Sequence, residues 1–323
     1  MSCKEVYLLL AYVIRRILII IPMLLAIIFI IYGIMELTPG EPARLILGTN
    51  ATQAAVDELT VRLGYDRSFL YRYVSFVGNA MIGNLGESWA TGRPVITELM
   101  ARFPTTISLA AFAMFIAVVI GIPLGVLAAV KQHSIFDSAG TAMAMVMASI
   151  PSYWLAIMLI ILFAVNLGWL PSFGTGSFLH YILPAFAMAC PEIAVQLRFT
   201  RSTMLESIRQ DYIRTARAKG QRESIVVYDH ALKNALLPVV TITGTGFCGL
   251  LGGVVTIETI FSINGIGLLI YNSILMKDVP VVTGGAVFLA AMVMVMLLCV
   301  DLLYAFIDPR IKARYSRARK GAA

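Results

Sequence analysis

Asp211-Tyr-Ile-Arg-Thr-Ala-Arg-Ala-Lys-Gly-Gln-Arg222 is a dense, mostly basic stretch in a chain that is otherwise nearly all apolar. It lies between two hydrophobic segments, so the rest of the chain reads as a membrane anchor that holds it in place. Of the 323 residues, 59% are hydrophobic and 13% are charged, and the mean hydropathy is +0.85. Soluble domains carry roughly 25% charged residues. A buried core alone does not need such an excess, which makes the chain an integral membrane protein. The formal net charge of +7 fits basic residues gathered in cytoplasmic loops better than it fits nucleic-acid binding. Cys3, Cys190, Cys248 and Cys299 have neither metal-ligand spacing nor the pattern of a disulfide framework. His133, His180 and His230 are scattered, so no metal site is readable and no catalytic group stands out.

Arg15 and Arg16 precede an uncharged run from Ile17 to Met35, close to the roughly 20 residues that a spanning helix needs. No small-residue cleavage site follows, so the run reads as a retained first span rather than a signal peptide. Thr38 to Arg102 is the long polar region. Pro39-Gly40-Glu41-Pro42 and Gly83-Asn84-Leu85-Gly86 read as turns. Thr52 is a candidate N-cap for a helix carrying Ala55, Leu59 and Leu63. Five more apolar runs follow: Pro104 to Val130, Ser138 to Leu167 with a kink at Pro151, Tyr181 to Leu197, Asn234 to Ile257 and Val281 to Ile307. The expected fold is an all-α polytopic membrane protein with six transmembrane helices.

Charge sets the topology. Six spans put both termini on one side. That side receives Lys4, Arg15, Arg16, Lys131, the eight basic residues from Arg198 to Lys233, and a tail with Arg310, Lys312, Arg314, Arg317, Arg319 and Lys320. By the positive-inside rule this side is the cytoplasm. The expected organisation is a cytoplasmic N-terminus and first helix at 1–37 and a small, mainly helical extracytoplasmic subdomain at 38–103. A five-helix core at 104–308 follows, with a cytoplasmic loop at 198–236, and then a basic tail at 309–323. Gly121 and Gly125, and again Gly249 and Gly253, have GxxxG spacing, which suits internal packing or a subunit interface.

The loop reads as two helices, about Ser202 to Lys219 and about Glu223 to Ala235. Met204, Ile208, Tyr212 and Ala216 share one face of the first, with Leu205 and Ile213 beside them, and Gly220 stops it. Pro238 opens the next span. From spacing alone the loop is either a solvated basic segment resting on lipid or a short helix presented to a soluble partner.

Here the residues resemble a family. The loop is similar to that of permease subunits of ABC importers, whose motif is EAA, three residues, a glycine, then a spacer to Ile-x-Leu-Pro. Arg214-Thr215-Ala216 stand at the EAA positions, Gly220 is the glycine and Leu237-Pro238 close the motif. Arg214 replaces the acid and the spacer is longer, as in the dipeptide, oligopeptide and nickel subgroup. Gly121-Ile-Pro-Leu-Gly-Val-Leu-Ala-Ala-Val-Lys131, Thr200-Arg-Ser-Thr-Met-Leu205, Glu258-Thr-Ile-Phe-Ser262 and Asp308-Pro-Arg310 also look like that subgroup, and the long outer loop looks like its B-type subunit.

The resemblance implies a coupling helix that docks an ATPase subunit through Asp211, Tyr212, Arg214, Thr215, Ala216, Arg217, Lys219 and Gly220. It further implies a second permease subunit forming a heterodimer, two ATP-binding subunits that hold ATP and Mg, an extracytoplasmic solute-binding protein, and a place in a bacterial or archaeal cytoplasmic membrane. No GxxxxGK[ST] string occurs, so the ATPase is supplied in trans. The implied cargo is small peptides, with nickel or a metal chelate as the alternative.

Ionisable groups inside spans are functional candidates. Glu192, in the fourth span, either lines the pathway or pairs with Arg198, and Glu258, at the outer end of the fifth, is a gate or an interfacial charge. Asp301 reads as structural. An ATP-independent transporter or channel would instead show more intramembrane charge pairs. An intramembrane enzyme would need paired catalytic groups, for which Glu192 and Asp301 are poorly placed.

Overall fold

The structure is a computed structural model and describes residues 3–37, 41–48 and 50–307. Pro39-Gly40, Asp308-Pro-Arg310 and the tail at 309–323 lie outside the described residues. Among the described residues the regular secondary structure is helical, apart from a single bridge between Glu87 and Pro94. In order the helices are α1 (Cys3–Leu37), α2 (Pro42–Leu47), α3 (Gln53–Arg62), α4 (Phe69–Met81), α5 (Val95–Val130) and α6 (Ile135–Ser149). They continue with α7 (Ser152–Asn166), α8 (Leu179–Ile208), α9 (Asp211–Ala218), α10 (Glu223–Ile260), α11 (Ile266–Leu275) and α12 (Val279–Ile307).

Four helices, α5, α8, α10 and α12, are long and apolar enough to cross a membrane. The α6–α7 pair, bent by 96°, makes a fifth if it counts as one span. In α1 the apolar stretch among the described side chains, Leu18–Ile34, is shorter. The bend falls where the sequence places it. Pro151 disfavours helical backbone in the residue before it, and Ile150 is extended at φ −83°, ψ 120°. Pro184 and Pro191, by contrast, sit inside the continuous helix α8. Membrane helices tolerate proline where neighbouring groups satisfy the freed carbonyls.

Contacts divide the chain into two units. The first is built on Ile107–Ile263 and takes in α12 from Val295 onward; the second joins Ile14–Thr106 to Asn264–Met294. In the first unit α8 is the central helix. Leu183, Ala185, Ala187, Met188, Ala189, Ile193, Ala194 and Leu197 along it are all buried. Close approach is possible because its neighbours lack Cβ atoms there. A Cβ at Gly121 would lie 2.6 Å from Gln196 Cβ, and one at Gly125 would lie 2.7 Å from Leu197 O. Asp137, near the start of α6, accepts from Arg201 Nε at 2.5 Å and Nη2 at 2.9 Å, which clamps α6 to α8 with a fork of two charge-assisted bonds.

The second unit has its own core of Leu85, Val95, Leu99, Ile266, Ile270 and Val281. Thr52 caps α3, its side chain accepting from Ala55 N at 3.4 Å. Gly83 and Gly86 both take positive φ, 81° and 87°, as the turn reading of Gly83–Gly86 requires. Tyr73 Oη donates to Leu25 O at 3.0 Å, tying α4 to α1.

The two GxxxG pairs do different work. Gly121 and Gly125 are consumed by internal packing, whereas a Cβ at Gly249, Gly252 or Gly253 would meet nothing within 4 Å. Gly121→Leu should therefore lower the thermal midpoint of the detergent-solubilised chain, at an overpacking cost of about 1–3 kcal/mol. Gly249→Leu should leave that midpoint unchanged. Equal shifts for the two variants would refute the packing account.

Candidate functional site

The basic stretch forms α9, but not as the first half of a helix running from 202 to 219. Helix α8 ends at Ile208, Gln210 is extended at φ −73°, ψ 152°, and α9 starts afresh at Asp211. The physical reason lies in two buried residues. Met204 and Ile213 are both fully buried in one cluster with Val126, Ala129, Val226, Val227, Ala231 and Ala235. They are nine residues apart, which on a straight helix of 3.6 residues per turn would put them on opposite faces. The break at Arg209–Gln210 lets both enter the same core. Tyr212, expected on the apolar face, is instead 42% exposed, and Ile213 and Ala216 form the inward face.

Local chemistry supports the short helix. Asp211 lies in its first turn and Arg217 in its last, matching the helix dipole at both ends. Gly220 turns the chain at φ +73°, and its N–H bonds Arg217 O at 2.9 Å. Arg217 forks onto Glu223 across that turn, at 3.1 Å and 2.6 Å. This hydrogen-bonded carboxylate holds the Arg217 guanidinium more firmly protonated than usual. Ser207 Oγ donates to Ala231 O at 2.9 Å, which leaves the Tyr212 hydroxyl to donate to Ser207 Oγ at 2.7 Å. The Asp211–Arg214 pair, at 3.6 Å with side chains 96% and 76% exposed, contributes little. The outward face of α9 is thus Asp211, Arg214, Thr215 and the neighbouring Lys219, all exposed. The inward face is gripped by the first unit.

The segment after Gly220 also differs from expectation. It is not a separate helix ending before Pro238. From Glu223 it is continuous with the fifth span as α10, passing through a π-helical stretch at Val226–Leu232, with Pro238 inside. Wider π turns place Val226, Val227 and Ala231 all in the cluster that holds Ile213.

The two acids proposed for the pathway are not brought together. Glu192 on α8 is half-buried beside Gly246 of α10, where a Cβ would stand 2.5 Å from its Oε2. Glu258 is fully buried twelve residues further along α10, about 18 Å by the rise of a helix. It lies in the last turn of α10, enclosed by protein. No hydrogen bond or ion pair joins Glu192 to Arg198 among the described residues, and Arg198 is exposed. Asp301 is half-buried on α12.

One feature escaped the sequence reading. Glu192, Gln196 and Thr200 follow at i, i+4 and i+8 on α8. Glu192 Oε2, Gln196 Nε2 and Thr200 Oγ1 are buried without a hydrogen-bond partner among the described residues, as is Thr241 Oγ1 on α10. Gln196 Oε1 accepts from Thr243 Oγ1 at 3.1 Å. The helical spacing from Glu192 was the available signal. Among the described residues no group of three or more His, Cys, Asp or Glu could hold a metal ion.

Comparison with known proteins places this arrangement. The profile for binding-protein-dependent transport system inner membrane components matches residues 121–313, and its N-terminal companion matches residues 9–110. The dipeptide transport system permease protein DppB of Alkalihalophilus pseudofirmus is 40% identical, covering 94% of this chain and 99% of that protein. The glutathione transport system permease protein GsiC of Pectobacterium atrosepticum is 39% identical, covering 93% and 98%. The oligopeptide transport system permease protein AppB of Bacillus subtilis is 39% identical, covering 94% and 99%. Among solved structures, an inward-facing MetNI methionine ABC transporter chain aligns with TM-score 0.56 at 20% identity, covering 65% of this chain and 96% of that one, a likeness of fold. A helical, multi-pass chain whose core and N-terminal region both match, and whose relatives match along nearly their whole length, belongs to the binding-protein-dependent transport system inner membrane components, the permease subunits of ABC importers.

Proposed function

We propose that this chain forms one half of the translocation pathway for di- or oligopeptides, with α9 as the docking helix for an ATPase subunit supplied in trans. The observation that carries the docking role is the two-sided geometry of α9. Ile213 and Ala216 are rooted in the core around Met204 and Val226, while Asp211, Arg214, Thr215 and Lys219 face outward. Rooting matters because a helix that transmits motion must move together with the spans. Rigid-body rocking of bundles around a central path then gives alternating access. The peptide cargo is supported by relatives named for dipeptide, oligopeptide and glutathione transport.

In this reading six spans leave both termini and the loop at 198–236 in the cytoplasm, with 38–103 outside, where a solute-binding protein delivers cargo. ATP and Mg are bound by two partner ATPases. A second permease subunit seats on α10, where Thr245, Gly249, Gly252, Gly253 and Thr256 form an exposed strip of small residues along the helix. Such strips let backbones approach closely in lipid. Glu192 and Glu258 act on the pathway or its gate.

Three outcomes test the reading. Gly220→Val forces a β-branched residue to φ +73°, a strain of about 1–2 kcal/mol or more, although space around the site is open. Membrane insertion should survive while recovery of ATPase subunits on affinity purification falls; unchanged coupled transport would refute α9 as the docking helix. Gly249→Leu with Gly253→Leu should separate the two permease subunits on native gels without unfolding either, and an intact heterodimer would move the interface elsewhere. Glu192→Ala should leave assembly intact and change peptide uptake per ATP hydrolysed, whereas uptake indistinguishable from the parent would remove Glu192 from the pathway.

A further inference from the structure

The second unit contains a cleft of about 370 Å³ that the transport reading does not use. Four aromatic rings wall it: Tyr32, Tyr65, Phe76 and Trp89. Tyr32 and Phe76 stand with ring centroids 5.5 Å apart, and Tyr65 and Trp89 stand 6.1 Å apart. The Trp89 wall is built rather than loose. Asp278 is 2% exposed and accepts from Ser88 Oγ at 2.5 Å, Trp89 N at 3.2 Å and Ala90 N at 3.3 Å. This pins the Ser88–Ala90 segment against the turn before α12.

Two polar groups line the same cleft. Glu87 is exposed and forms no ion pair among the described residues. Thr283 is 1% exposed, and its hydroxyl has no hydrogen-bond partner among the described residues. Leaving a buried hydroxyl unmatched is costly, so such groups mark places where something else bonds. Glu87 is the one charged side chain among the lining residues, and the Arg72 guanidinium lies 4.6 Å above the Tyr65 ring.

We propose that this cleft binds an organic ammonium group, carried by a free solute or by an amine-bearing lipid headgroup. Ring faces attract cations through their quadrupoles, and an ammonium bearing carbon substituents also fills apolar space. Arg72 already uses Tyr65 in this way, and Trp89, Tyr32 and Phe76 line the same cleft. Glu87 supplies the counter-charge, and the Thr283 hydroxyl bonds the N–H or O–H of the ligand. A hydrated inorganic cation matches the charge but not the four rings.

The test uses the full chain carrying Trp154→Phe and Trp169→Phe, so that Trp89 is the one remaining indole, in nanodiscs of phosphatidylglycerol alone. Choline should change Trp89 fluorescence saturably. Its neutral isostere 3,3-dimethyl-1-butanol should not. Glu87→Gln, at an exposed site that does not threaten folding, and Thr283→Val should each weaken choline by about tenfold. Nanodiscs containing phosphatidylethanolamine that produce the change before choline is added would identify a lipid headgroup as the source, which also supports the site. Equal response to the neutral isostere would overturn the ammonium assignment, and so would absence of a saturable change in both lipids. Neither result would bear on α9 or on ATPase docking, since the cleft lies in the other unit.

Discussion

Helix α8 is buried on nearly every face, and it can be so because the helices beside it give up their Cβ atoms at the points of contact. Gly121 and Gly125 of α5 admit Gln196, Ile193, Leu197 and Thr200, and Gly246 of α10 admits Glu192. In lipid, helices gain little from the hydrophobic effect when they associate, so the fit of one backbone against another carries the association. The rest of the first unit hangs from this contact. The Asp137–Arg201 clamp fixes α6 to α8. The last turns of α8 deliver Met204 to the cluster that roots α9.

Helix α9 shows how a global requirement overrides a local pattern. Read alone, residues 202–219 have a respectable helical face through Met204, Ile208, Tyr212 and Ala216. The fold discards it because Met204 and Ile213 share one core, and a straight helix cannot satisfy both. The extended Gln210 and the π turns of α10 are the two adjustments that bring α8, α9 and α10 to one cluster. A rooted helix with a polar outer face is the shape that a moving partner can push on.

Polar groups buried along α8 are managed unevenly. Asp137 and Arg201 satisfy one another in a fork, the arrangement under which a buried pair holds its desolvation cost in check. The Glu192–Gln196–Thr200 row keeps three unmatched polar atoms instead. Burying such atoms without partners costs stability, so the row adds nothing to the packing that holds α8 in place.

The sequence by itself determined that the chain is a helical membrane protein, where its polar regions fall, that Pro151 bends a span, that Thr52 caps a helix and that Gly220 ends one. Each of these follows from short-range chemistry: hydrophobic length, a missing N–H, a side-chain oxygen, a positive φ. Composition and motif strings also carried the family resemblance. Only the tertiary structure decided which GxxxG pair is buried and which is open, since Gly121-x-x-x-Gly125 and Gly249-x-x-x-Gly253 are alike in spacing. It alone decided that Tyr212 faces out, that Glu258 is fully enclosed, and that Trp89 and Thr283 line one cleft. Those outcomes depend on which helix lies against which, and residues distant in sequence set them through packing that no local period encodes.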